Sequence, residues 1–109
     1  MMYQRGDVVV CVLSGDYGKP RPAVIVQSDL FNPTHASLTV CPITTYLMAA
    51  PLFRLAIEPS AENGLQSASQ IMVDKISTLK IEKVHQKIGR LSQEQIDTVN
   101  EALRLWLGV

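Results

Sequence analysis

The chain has 109 residues, of which 47% are hydrophobic and 18% are charged, and its ten basic residues balance ten acidic ones. This length predicts a single domain over residues 1–109, and the hydrophobic content excludes an intrinsically disordered chain. Zero net charge at pH 7 excludes a protein that binds nucleic acid through an entirely basic surface, so any such contact must be local.

Three strands are predicted in the first part of the chain. Residues 6–13, GDVVVCVL, and residues 21–27 are β-rich runs with apolar residues on both faces. The segment SGDYGK between them is rich in Gly, Ser and Asp and is predicted to be a loop. A second loop, SDLFNPTH, leads to a strand at residues 36–43. Pro42 lacks a backbone donor and is expected at the end or edge of that strand.

The second half of the chain gives weaker strand signals and one clear helix. LFRLAIE at 52–58 and LQSASQIMV at 65–73 are predicted strands, and KISTL and HQKIGRL are short strands or turns. Ser92 and Gln95 have the spacing of a capping box, and Gly108 suits the end of the helix. Leu91 and Ile96 occupy the positions of a hydrophobic staple. Apolar residues at helical spacing then predict an apolar stripe on the helix, formed by Ile96, Val99, Leu103 and Trp106.

These elements predict a mainly β fold with one helix, namely a small β-barrel on which the C-terminal helix packs. Strands that are apolar on both faces need cover outside the barrel as well as inside it, and a homodimer would provide that cover. The sequence contains neither a leader pattern nor an apolar run near the ~18 residues of a membrane span, so we expect a soluble, cytoplasmic protein.

The cysteines and histidines do not form a recognisable site. Cys11 and Cys41 lie in apolar β-like runs without CxxC spacing, which predicts reduced, buried thiols. His35 and His85 lie far apart without triad or metal spacing and are expected at the surface. No motif supports a metal or another cofactor.

One segment of the chain is locally basic. Between Lys75 and Arg90 the sequence contains five cations and one anion, Glu82. We expect these cations to lie on the solvated side of a hairpin. The five are Lys75, Lys80, Lys83, Lys87 and Arg90.

Arg21 lies between two prolines at the start of a predicted strand. Pro20 fixes its own φ and Pro22 keeps Arg21 extended, so the backbone beneath the guanidinium is stiff. A cation fixed in this way suits electrostatic catalysis or bidentate contact with a phosphate. The alternative is an arginine at a strand entry with a solvated head group.

Three further side chains are candidates for chemistry. Thr44 and Thr45 could donate to a phosphoryl oxygen or bond to their own turn. Asp74 ends the apolar run QIMV and could be a general base, a partner for Arg21, or a turn residue.

These motifs resemble those of a known family. RGDVVVCVLSGDYGKPRPAVIVQSDLFN is similar to the opening of the MazF/PemK-type toxins, the endoribonuclease halves of toxin–antitoxin pairs. The similarity continues in the same order through VCPITT, VDKISTL and KIGRLSQEQIDTVNEALRLWLG, nearly to the end of the chain. The resemblance implies an SH3-like small barrel with a C-terminal helix, working as a homodimer.

The resemblance also implies an activity and a site. Members of the family are mRNA interferases that cut single-stranded RNA at short sequences without a metal. The 2′-hydroxyl of the RNA attacks, leaving a 2′,3′-cyclic phosphate and a 5′-hydroxyl. Arg21 corresponds to the arginine that acts on the scissile phosphate, Thr44 to the threonine that steadies its oxygens, and Asp74 to an acidic residue that is a candidate base. The residues expected to bind RNA are Tyr17, Lys19, Thr45 and Lys75.

The sequence departs from the family pattern at one important position. Some members carry an arginine two positions before the acidic residue, where this chain has Met72. The departure predicts that Arg21 alone stabilises the phosphorane and protonates the leaving oxygen. The loop with Tyr17 and Lys19 is short, which predicts an altered preference for RNA sequence.

The family resemblance implies partners, and the residues leave two other functions open. The implied partner is a MazE-like antitoxin whose C-terminal tail lies along the RNA groove, in a complex that binds DNA. One alternative is a gyrase poison of the CcdB type, because VQSDL and LRLWLGV are similar to that group. Trp106 falls on the helix stripe, however, which favours a packing role. The other alternative is an SH3-like peptide-binding module, against which the six scattered aromatic residues argue.

Overall fold

The computed structural model describes residues 2–109 and contains seven strands and one long helix. The strands are β1 (Asp7–Val12), β2 (Pro20–Ile25), β3 (Ser37–Thr44), β4 (Arg54–Ile57), β5 (Ser69–Met72), β6 (Ser77–Lys80) and β7 (Val84–Arg90). The helix α1 spans Gln93–Leu107, and short 3₁₀ turns occupy Val73–Lys75 and Ile81–Lys83. The predicted strand at 65–73 was too long, because the polar segment before Ser69 is a loop.

The strands form one antiparallel sheet in the order β4-β5-β3-β2-β1-β7, with β6 also paired to β3. Strand β3 pairs with β2 along one side, while β6 and then β5 follow each other along its other side. This antiparallel sheet with one C-terminal helix confirms the predicted small barrel-like fold.

Pro42 lies inside β3 rather than at its end. On the side of β3 that faces β5 and β6, pairing with β6 stops at Val40 and pairing with β5 begins at Ile43. Pro42 falls in this gap, where its missing N–H removes no ladder hydrogen bond. The interruption is caused by the 3₁₀ turn at Val73–Lys75, where the chain passes from β5 to β6.

The central strands bury both faces, as predicted, and the chain covers both of them itself. One hydrophobic cluster packs beneath α1 and includes Val8, Val24 and Val99. The second fills the opposite face, with Val9, Ile25 and Leu38 among its members. Successive residues of a strand point to opposite faces, which is why Val8 and Val9 join different clusters. The apolar residues on both faces of these strands are therefore buried within one chain.

Helix α1 begins and ends as predicted. The backbone N–H of Gln95 donates to Ser92 Oγ at 3.2 Å, and Ser92 N–H donates to Gln95 Oε1 at 2.9 Å, which completes the capping box. Gly108 ends the helix in the left-handed region, with φ of 73°. On the stripe, Val99 is buried, whereas Trp106 is exposed and its ring lies 5.4 Å from that of Phe53. Ala102 is also buried on this face, which the predicted stripe omitted.

The basic segment is not wholly a solvated face, which corrects the expectation from the sequence. Asp7 is buried at the start of β1, and its Oδ1 accepts a hydrogen bond from Arg90 at 2.9 Å. Lys87 Nζ lies 3.3 Å from the same oxygen, and Gln4 N–H donates to Oδ2. Two of the five cations therefore neutralise a buried carboxylate that joins β1 to β7.

The loop between β4 and β5 crosses over β7. Asn63 is buried in this loop, where its side chain donates to Glu58 O at 2.8 Å and accepts from Ser60 N and Leu65 N. The crossing is so close that a methyl group at Gly89 would lie 2.3 Å from the Asn63 carbonyl carbon. Glycine is therefore required at this position of β7 by contact with the loop.

The two cysteines are free and buried, and we expect them to be unreactive in the folded protein. Burial raises the pKa of the Cys11 thiol to about 11 and that of the Cys41 thiol to about 12. Because the thiolate is the reactive form, modification by Ellman's reagent at pH 8 should be at least about 100-fold slower in buffer than in urea. Rapid labelling of both thiols in the native protein would contradict this burial.

Within residues 2–109, no helix has both the length and the hydropathy needed to cross a bilayer.

Candidate active site

Arg21 is held by a carboxylate from the loop that precedes it. Arg21 Nε donates to Asp16 Oδ2 at 2.8 Å, and Nη2 donates to Asp16 Oδ1 at 3.2 Å. Asp16 belongs to the predicted loop SGDYGK, and Arg21 pairs with Cys11 across β1 and β2. The side chain of Arg21 remains 32% exposed. The guanidinium is therefore both fixed in orientation and accessible to a ligand.

Thr44 lies at the end of β3, close to Arg21. Arg21 Nη1 is 3.4 Å from the carbonyl oxygen of Ile43, the residue before Thr44. Thr44 Oγ1 accepts a hydrogen bond from Tyr46 N–H at 3.1 Å. The turn contact predicted for Thr44 is thus present, but it uses only the acceptor side of the hydroxyl. The O–H of Thr44 has no acceptor within residues 2–109 and can donate to a ligand.

Two open grooves meet at Arg21 and Thr44. Both grooves are lined by Asp16, Arg21 and Thr44. The first groove also contains Lys19, Thr45 and Ser69, and the second also contains Tyr46, Arg54, Asp74 and Lys75.

Of the four residues predicted to bind RNA, three line these grooves. Lys19 and Thr45 lie in the first groove and Lys75 in the second. Tyr17 lines neither groove and is fully exposed in the β1–β2 loop, where its φ is 54°. His35 and His85 are exposed, as expected.

Asp74 is paired with Arg54 and not with Arg21, which corrects one of the alternatives from the sequence. Arg54 Nε donates to Asp74 Oδ1 at 2.7 Å, and Nη2 donates to Oδ2 at 2.9 Å. The side chains are 9% and 13% exposed, respectively. The hydrogen bonds from Arg54 are the main reason that the pKa of Asp74 is lowered, and the same contact raises the pKa of Arg54.

Two residues of the grooves, Asp16 and Arg54, were not predicted from the sequence. Asp16 offered a signal, since it is the carboxylate in the predicted loop just before Arg21. Arg54 offered a weaker one, an arginine inside the predicted apolar strand LFRLAIE. Its contact with Asp74 depends on the register that places Arg54 opposite Met72 in β4 and β5.

No group of three or more His, Cys, Asp or Glu side chains within residues 2–109 is placed to hold a metal ion. The polar groups that face the grooves are guanidinium, ammonium, hydroxyl and paired carboxylate groups. Guanidinium and hydroxyl groups are donors suited to phosphate oxygens.

The fold and the site together define a small barrel-like protein with two open grooves that share the guanidinium of Arg21 and the hydroxyl of Thr44. The family described as PemK-like, MazF-like toxin of type II toxin–antitoxin system matches residues 4–107, and the chain belongs to this family.

Two relatives and one solved structure illustrate the similarity. The chain is 40% identical over 107 residues to a probable endoribonuclease MazF of Mycolicibacterium smegmatis, covering 97% of each protein. It is 29% identical to endoribonuclease EndoA of Bacillus subtilis, covering 100% of this chain and 97% of EndoA. An endoribonuclease from Mycobacterial species, solved in complex with its cognate antitoxin, has a TM-score of 0.82 at 25% identity and covers 98% and 96% of the two chains.

Proposed function

We propose that this endoribonuclease toxin cleaves single-stranded RNA at short specific sequences, without a metal ion. The observation that carries the proposal is the placement of Arg21 and the free Thr44 hydroxyl where two open grooves meet. In the proposed reaction the 2′-hydroxyl of the RNA attacks the adjacent phosphorus and gives its proton to solvent water. The bond from phosphorus to the 5′-oxygen breaks, and the leaving oxygen takes up a proton donated by Arg21, which regains one from water. The products are a 2′,3′-cyclic phosphate and a 5′-hydroxyl end.

In this reaction the protein does not supply the nucleophile, so its work is alignment and charge stabilisation. The positive charge of Arg21 stabilises the negative charge that develops on the phosphorane. Asp16 holds the guanidinium in one orientation before RNA binds, so little reorganisation is needed during the reaction. Thr44 donates its O–H to a phosphate oxygen. Asp74 lines the second groove, where its carboxylate is hydrogen-bonded to Arg54.

The remaining groove residues hold the RNA strand on either side of the reacting phosphate. Lys19 and Thr45 contact the strand in the first groove, and Lys75 contacts it in the second. Tyr17 is exposed on the loop beside the grooves and offers a ring on which a base can stack.

We further propose that residues 1–109 act as one domain, in a cytoplasmic homodimer that an antitoxin inhibits. The exposed apolar residues near the end of α1, Leu105 and Leu107, offer surface for such contacts. The similar mycobacterial endoribonuclease was solved with its cognate antitoxin, which supports a partner of that kind here. An antitoxin tail lying in the grooves would inhibit by excluding RNA.

The test is to incubate the purified protein with RNA in the presence of EDTA. We expect cleavage into fragments with 5′-hydroxyl ends, and sequencing of those ends should reveal one short recognition sequence. A matched reaction containing the Arg21→Ala variant controls for contaminating nucleases. Intact RNA, together with stabilised gyrase–DNA complexes in a parallel assay, would instead favour the gyrase poison.

A further inference from the structure

We propose that Arg54 is a second phosphate-binding cation of the RNA site, and that Asp74 positions Arg54 instead of accepting the proton of the 2′-hydroxyl. This inference rests on the proposed ribonuclease function and assigns new roles within the same groove. Arg54 would contact a phosphate that neighbours the scissile one along the bound strand.

The position of Arg54 supports this role. It lines the same groove as Arg21 and Thr44, although it lies on a different strand, β4. It is directly opposite Met72 in the pairing of β4 with β5, and both residues line this groove. The second groove therefore contains two guanidinium groups, each oriented by its own carboxylate.

Arg54 also retains hydrogen-bond donors for a ligand. Its Nε and one hydrogen of Nη2 are used by Asp74, whereas Nη1 has no acceptor within residues 2–109. No described buried side-chain nitrogen or oxygen in that range lacks a partner, so Nη1 is not sealed from solvent. A mostly buried guanidinium that keeps one free, solvent-reaching edge is suited to bind an anion.

The geometry of Asp74 makes it a poor general base. Both of its carboxylate oxygens accept hydrogen bonds from Arg54. Protonation of Asp74 would leave a mostly buried guanidinium without its counter-ion, which is costly. A carboxylate held in this way fixes the guanidinium in one orientation, which is a positioning role.

The experiment uses an RNA oligonucleotide that contains the mapped recognition sequence, with a single 2′-deoxy nucleotide at the cleavage position. This probe binds but cannot be cut, so its Kd separates binding from chemistry. Arg54→Gln is compared with the double variant Arg54→Gln/Asp74→Asn, which leaves no unpaired buried carboxylate. Arg104→Ala, which changes an exposed arginine of α1, is the matched control.

We expect both Arg54 variants to weaken binding of the probe by about tenfold or more, the loss typical of a charge-assisted hydrogen bond. The slope of log Kd against log salt should decrease by about 0.7, because one phosphate contact with a single strand is lost. A folded Arg54→Gln/Asp74→Asn protein with unchanged Kd and salt slope would overturn the role of Arg54.

Asp74→Asn separates the two roles of the carboxylate. If Asp74 positions Arg54, the variant should bind the probe more weakly, and the pH profile of cleavage should keep its shape. A loss of cleavage of 100-fold or more with unchanged Kd would instead identify Asp74 as the base. Absence of RNA cleavage by the unsubstituted protein would refute the proposed function itself, whereas normal cleavage with an unaffected Kd in the variants refutes only this inference.

Discussion

Arg21→Ala should reduce the rate of RNA cleavage by about 10²–10³-fold and leave the fold intact. The reason is that Arg21 is the accessible, pre-oriented cation shared by both grooves. Its contribution develops with the charge on the phosphorane, so kcat should fall much more than affinity for the uncleavable probe. Single-turnover cleavage and the Kd of that probe measure the two effects separately.

Folding of the Arg21→Ala protein is checked by its urea unfolding midpoint. Because the side chain is partly exposed and its ion pair with Asp16 lies near the surface, we expect a change of no more than about 1 kcal/mol. Arg21→Lys keeps the charge but not the planar fork and should be intermediate in rate. A folded Arg21→Ala protein with undiminished cleavage would remove Arg21 from the mechanism.

Gly89→Ala should destabilise the protein by about 3 kcal/mol or more, among the largest effects of a single methyl group. The added carbon would lie 2.4 Å from Glu62 O and 2.3 Å from the carbonyl carbon of Asn63. These are backbone atoms, so no side-chain rotation can relieve the clash. Either β7 or the loop over it must move, and Arg90 N–H would then lose its hydrogen bond to Glu62 O at 2.8 Å.

Urea unfolding followed by circular dichroism measures this loss. Gln86→Ala is a suitable control, because Gln86 lies on the same strand and is exposed. Its effect should stay within about 0.5 kcal/mol. A Gly89→Ala protein as stable as the Gln86→Ala protein would mean that the loop does not rest on β7 in solution.

Much of the fold was predictable because its signals are local. The runs of β-branched residues identified β1 and β2, and the capping box at Ser92 placed the start of α1 correctly. The position of Pro42 was mispredicted, since a missing donor is also tolerated in a strand where the neighbouring pairing is interrupted. That interruption arises from the passage of β5 into β6, which no local pattern reveals.

The candidate site was predictable only in part, for the same physical reason. Arg21 was singled out by the prolines on either side of it, a local constraint. The partner of Asp74 could not be read from the sequence, because Arg54 is 20 residues away and meets Asp74 only through the β4–β5 register. The salt bridges of Asp7 with Lys87 and Arg90 likewise join opposite ends of the chain.

The pairing of β1 with β7 has a consequence for the order in which the sheet can assemble during synthesis. Strand β1 precedes the other six strands along the chain, whereas β7 follows them. Until β7 has been made, β1 has an unpaired edge and the Asp7 carboxylate lacks both Lys87 and Arg90. The strand that forms first along the chain is therefore completed by the strand that forms last.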